Sequence, residues 1–238
     1  MKKILTFLFA LLLLAGVGTW YFVTYRMDAV IEERIETAGS LSLGTRVSVG
    51  TVKTSIKDGS LTISDVTVAN PPGFRNKTAF SLNGIEAAID YSSLDIKRLV
   101  IESPEMVIEE MGGETNFSRM MAELEQSESA PASAASGKEE PVITIRNFRM
   151  NASRAAFESE SLDRYSNIEI DAVELNDLTG TPTEVSKVIA AAILKEVTSE
   201  AATELLKAQA KKQLDKVESK VSSKLKDLLG SDDEDSGN

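Results

Sequence analysis

Residues Ile4 to Tyr25 form one uncharged apolar run, ILTFLFALLLLAGVGTWYFVTY, unmatched in length by any later segment of the 238-residue chain. Its 22 residues would make a helix of roughly 33 Å, enough to cross the hydrocarbon core of a bilayer. The chain is therefore expected to divide into a membrane tether and a water-compatible fold that begins after it.

A cleaved secretory signal is the rival reading. Lys2 and Lys3 would form its charged start, and Ala15, Gly16 and Gly18 could mark a cut. However, the run continues past the usual signal length, and Trp20, Tyr21 and Tyr25 suit a membrane–water interface. The expectation is an uncleaved single-pass anchor contacting lipid through Ile4, Leu8, Leu12, Val17, Trp20, Tyr21 and Tyr25. The positive-inside bias would keep Lys2 and Lys3 cytoplasmic and export Arg26 onward. In a bacterium this places an inner-membrane protein with its bulk in the periplasm.

Composition removes several chemistries. The net charge of −11 argues against wrapping nucleic acid, which needs cations to neutralise phosphates. Without cysteine there is no disulfide framework, thiolate metal site or cysteine nucleophile. Without histidine the Ser-His-Asp mechanism and imidazole ligation are also gone. Carboxylates at Glu102, Glu105, Glu109 and Glu110 are read as solubilising groups on strands. No catalytic residue, metal ligand or cofactor is expected.

The exported part opens with a short charged helical stalk, Asp28 to Thr37, and then turns to period-two alternation, the mark of strands. Val52, Thr54 and Ile56 alternate up to Asp58-Gly59, a hairpin-type turn. Leu61 and Ile63 give way to Val66 and Val68 with a phase shift at Ser64-Asp65, predicting a bulge. Asn70-Pro71-Pro72-Gly73 must be loop, because proline lacks a donor and restricts its neighbour. Further strands are predicted at Ala79–Tyr91, Asp95–Glu102 and Glu105–Met111, then a helix from Asn116 to Glu125 capped at Asn116.

Residues 127–140 are Ala/Ser/Glu-rich and read as a flexible linker. Strand texture returns at Val142–Met150, Ala152–Ser159 and Tyr165–Leu175. With short turns and no evident crossover helix, the sheet should be antiparallel. From Thr183 to Leu229 apolar residues recur at three and four, giving one long amphipathic helix after Pro182. The last eight residues, SDDEDSGN, are an acidic tail.

The order of these segments resembles the amino-terminal module of the AsmA-like family of Gram-negative envelopes. The likeness lies in the anchor, the strand pair Val47–Ile56 and Gly59–Val68, Asn70-Pro71-Pro72-Gly73-Phe74, and Ile85–Tyr91. It continues in Ile101–Ile108, Asn116-Phe117, and Leu175–Gly180 followed by Thr183–Ile189. The resemblance implies a curled sheet whose apolar interior carries lipid acyl chains, acting in envelope maintenance by lipid contact or transfer without catalysis. A sheet this short would not bridge two membranes.

The expected architecture is thus α+β: a transmembrane helix (1–26), a curled antiparallel sheet (27–126 and 141–180) interrupted by the linker (127–140), a long amphipathic helix (181–230) and a tail (231–238). Val52, Ile56, Leu61, Ile63, Val66, Val68, Ile85, Ile89, Ile143, Ile145, Ile168 and Ile170 either line a lipid groove or form a core under the helix. The expected partners are a phospholipid membrane and other envelope proteins, with no nucleic acid. The alternative is a structural scaffold for envelope assembly with no lipid site. Phe74, Arg75 and Lys77 are a candidate membrane or partner contact, and the terminal helix a candidate coiled coil.

Overall fold

A computed structural model describes residues 27–93, 95–102, 104–129 and 141–229. The apolar run and its contact residues Ile4, Leu8, Leu12, Val17, Trp20, Tyr21 and Tyr25 lie outside these residues. So do most of the linker and the acidic tail. Among the described residues no helix is long and apolar enough to cross a membrane. The expected transmembrane helix falls on residues that are not described, and the inner-membrane location expected from it finds no support among those that are.

The described chain is α+β. Helix α1 covers residues 27–43. Eleven strands follow, interrupted by one helix: β1 (Val47–Ser48), β2 (Thr51–Ser55), β3 (Ser60–Ala69), β4 (Thr78–Asp90), β5 (Asp95–Ile101), β6 (Glu105–Met111), β7 (Glu114–Thr115), α2 (Asn116–Ser129), β8 (Ile143–Met150), β9 (Ser153–Ser159), β10 (Arg164–Ile170) and β11 (Val173–Gly180). The last element is the 48-residue α3 (Pro182–Leu229).

The sheet is mixed rather than antiparallel. β5 runs parallel to β8, and β6 parallel to β9. A parallel pair needs a crossover of a dozen or more residues. Helix α2 and the segment after it supply that crossover, which the Ala/Ser-rich composition of 127–140 disguised as a simple break.

Register reveals a simpler plan. β5 and β6 both sit beside the residue 49 positions later, from Asp95↔Thr144 to Glu110↔Ser159. They also share one antiparallel register against β4, through Ile85↔Ile101 and Phe80↔Met106. The same holds for β8–β9 against β10–β11, and for β1–β2 against β3. The sheet is thus six long strands in chain order, most of them broken once. Gly50, Asp65, Asn83, Ala152 and Asp171 fall on one transverse line of missing pairs, where Asp65 takes φ of 56°. The predicted one-sided bulge at Ser64-Asp65 is instead part of this line, since β3 and β4 each skip one residue there. The strand predicted from Tyr165 to Leu175 breaks on it too.

Both edges of this open sheet are covered. Along β1–β2, side chains of α1 accept the free edge donors: Glu36 Oε1 from the Val49 N–H (2.8 Å), Ser40 Oγ from the Val47 N–H (2.9 Å), and Asp28 Oδ1 from the Thr54 N–H (3.0 Å). These polar groups stand where another strand would pair and so block edge-to-edge association. The expected short charged stalk is therefore longer than predicted and belongs to the fold, with Ile31, Ile35 and Leu43 packed on the core. At the other edge α3 lies against β10 and β11.

The two later helices start differently from expectation. For α2 the cap is Thr115, whose Oγ1 accepts from the Ser118 N–H at 3.0 Å while the Thr115 N–H donates to Ser118 Oγ. Asn116 is buried and ties β6 to the loop at Asn70. For α3, Thr181 Oγ1 accepts from the Glu184 N–H, and Glu184 Oε2 from the Thr181 N–H, a reciprocal cap with Pro182 in the first turn.

Candidate functional site

The apolar face of the sheet is the first place to look. Val52, Ile63, Val66, Val68, Ile145, Ile168 and Ile170 are buried in one continuous core. Leu61, Ile85 and Ile143 are half-buried against that core, and Ile89 is half-buried in β4. Ile56 sits in the β2–β3 turn, 55% exposed, and lines nothing. Into the same core come Phe117, Met120 and Leu124 of α2, and Val185, Leu194, Val197 and Ala201 of α3. Much of the face that could have held acyl chains is covered by the protein's own helices.

The second place is a cleft of about 420 Å³ between β6, β9 and the start of β10, lined by Arg75, Glu109, Glu110, Glu158, Glu160 and Asp163 among others. Strand position alone suggested that Glu109 and Glu110 were exposed. They are 2% and 1% exposed, and each is fully engaged. Glu109 accepts from the Arg75 N–H at 2.7 Å, the Asn76 N–H at 3.1 Å and Asn76 Nδ2 at 2.8 Å, so it pins the loop after Asn70. Asn116 Nδ2 donates to Asn70 Oδ1 at 2.6 Å and extends the tie to α2.

Glu110 accepts from the hydroxyls of Ser159 (2.6 Å) and Ser161 (2.7 Å) and from the Gly113 N–H (2.7 Å). Burial pushes its carboxyl up, but these donors outweigh burial and hold it below the usual glutamate value. The two carboxylates therefore serve as loop latches. Sequence reasoning missed the pair because their partners, Gly113 aside, are 33 to 51 residues away. The exposed Glu105 and Glu102 do not join them. Among the described residues, no group of three or more carboxylates is placed to hold a metal.

Phe74, a candidate contact residue, is half-buried beneath the Arg119 guanidinium, 4.9 Å from the ring centroid. Arg119 Nη1 also donates to Pro72 O. These contacts hold Phe74 against α2, while Arg75 and Lys77 of the same loop remain exposed.

The third place is α3 itself. Its proximal half turns Leu194, Val197, Ala201, Leu205 and Ala208 toward the fold. Its distal half, residues 209–226, is exposed throughout. There Leu214, Val217, Val221 and Leu225 remain 57–67% exposed, and Leu206 begins the same stripe at 67%. Val197 and Leu206 are two and a half turns apart and so point in opposite directions. The single amphipathic helix expected from the sequence is in fact two stripes on opposite faces, which exchange near residues 205–208.

No family model, curated protein or solved structure matches this chain. The AsmA-like resemblance rests on the short motifs quoted above.

Proposed function

We propose that the chain is a non-catalytic, AsmA-like interaction module that serves envelope assembly as a scaffold, with no lipid site. The observation that supports this reading best is the filled apolar face, where α2 and the proximal half of α3 join the sheet in one core. A carrier of acyl chains needs apolar area left open for its ligand. The engaged state of Glu109 and Glu110 supports a non-catalytic role, since each of their carboxylate oxygens already accepts from a donor of the fold. The working surface then lies on the outside of the fold.

The test is titration of the purified chain with a fluorescent long-chain fatty acid. The scaffold reading expects no saturable signal. Saturable, stoichiometric binding that is lost when Ala201→Trp overfills the core would overturn it.

A further inference from the structure

The outward stripe of α3 has an unusual regularity. Leu206, Ala210, Leu214, Val217, Val221 and Leu225 are spaced 4-4-3-4-4, so that Leu206 and Val217, Ala210 and Val221, and Leu214 and Leu225 are each eleven residues apart. An eleven-residue repeat keeps a stripe almost parallel to the axis of a straight helix, with slight right-handed drift. Over 20 residues it gives an apolar line of roughly 30 Å, about 100° wide. It faces away from the protein's own sheet, so intramolecular packing does not account for it.

Charge identifies what fits. Between residue 207 and the end of α3 at Leu229 there are seven lysines against Asp215, Glu218 and Asp227, a local charge of +4 in a chain of −11. Lys216, Lys220 and Lys224 follow one another at four-residue spacing along one flank of the stripe, Lys207 and Lys211 lie on the other, and Lys212 reaches back to the Ser161 carbonyl at 3.5 Å. The opposite face is polar: Ser219 and Ser223 hydroxyls donate back to the carbonyls of Lys216 and Lys220. A second copy of the same segment would bring +4 against +4. A bilayer would be met by a narrow stripe of Leu and Val lacking the aromatic residues that anchor interfacial helices. An acidic helix with its own apolar line satisfies both features, through burial along the stripe and through lysines at the rim.

We propose that the distal half of α3 docks an acidic α-helix of a partner protein, side by side along this stripe. The inference rests on the scaffold reading, and it names the surface and the chemistry of the partner. The flanking lysines select an acidic partner and speed its arrival, while Leu214, Val217 and Val221 hold it.

The experiment uses the full chain and two synthetic helical peptides with Leu and Val at the same eleven-residue spacing, one flanked by glutamate and one by lysine. Binding is followed by fluorescence anisotropy. The expected result is binding of the glutamate peptide alone, weakening at least about tenfold between roughly 50 mM and 500 mM salt. L214D/V221D should abolish it with the folded core unchanged by circular dichroism. K216E/K220E should shift preference toward the lysine peptide. Absence of binding, or equal binding of both peptides, overturns the proposal. So does self-association that requires Leu214 and Val221, measured by sedimentation, which would make a second copy the occupant. Adsorption to anionic vesicles that requires the same two residues would equally overturn it in favour of lipid. None of these outcomes bears on the fatty-acid titration, so the two readings fail separately.

Discussion

The proximal and distal halves of α3 share one helix, one period and similar apolar residues, yet they have opposite fates. Val197 and Ala201 are fully buried, while Val217 and Val221 are each 59% exposed. The proximal half is held by the sheet and α2; the distal half is held by continuation from a helix already nucleated and by one long contact, Lys212 Nζ to Ser161 O at 3.5 Å. Periodicity reports that a helix has an apolar side. It does not report whether that side meets the chain's own core or something else.

The comparison can be broken most forcefully at its buried end. Val197→Asp places an unpaired charge in the core and should cost about 4 kcal/mol or more, enough to abolish cooperative urea unfolding. Val217→Asp, the same change twenty residues later on the free half, should stay within about 0.5 kcal/mol of the parent. Equal costs would erase the distinction between the halves.

Phe117→Ala tests whether α2 fills the sheet as fully as α3 does. Its side chain is 2% exposed, and truncation should lower stability by about 3–5 kcal/mol in the same denaturation assay. A loss near zero would mean that the apolar face is open there.

Much of this was legible in the sequence, for local reasons. Asp58-Gly59 does turn the chain between β2 and β3, with Gly59 at φ of 61°. The strand segments and the long helix also lie close to where alternation placed them. What was hidden depends on partners distant in the chain. Glu109 and Glu110 look like surface carboxylates until Asn76, Ser159 and Ser161 close around them. Asn116 looks like a cap because its tie to Asn70 spans 46 residues. The parallel pairing of β5 with β8 is a fact of topology that no strand pattern carries. The two stripes of α3 merge in a list of apolar positions, since a shift of one position near Leu205-Leu206 moves the apolar face around the helix.

Glu110 offers a smaller and pH-dependent test. At neutral pH, Glu110→Gln should cost about 2 kcal/mol, because an amide cannot accept from all of its donors. The carboxyl is held below its ordinary value in the fold. Its stabilisation is therefore complete above the unfolded value, about 4.3, and is lost as pH falls through the lower folded value. The gap between parent and variant should narrow in acid unfolding below about pH 4. A gap constant with pH would remove the latch role.

The smallest loss expected in the packed part is at the start of α3. Thr181→Ala removes the hydroxyl of the reciprocal cap and should lower the unfolding free energy by about 1 kcal/mol. That loss falls on the packed half alone, leaving peptide docking by the distal half unchanged.

Native-state hydrogen exchange along α3 tests the division of the helix most directly. Amides of residues 190–208 should exchange only with global unfolding, and those of 210–226 at least about a hundredfold faster through local opening. Uniform protection from Pro182 to Lys226, or uniformly fast exchange including Val197 and Ala201, would contradict a filled core beside a free, outward-facing helix.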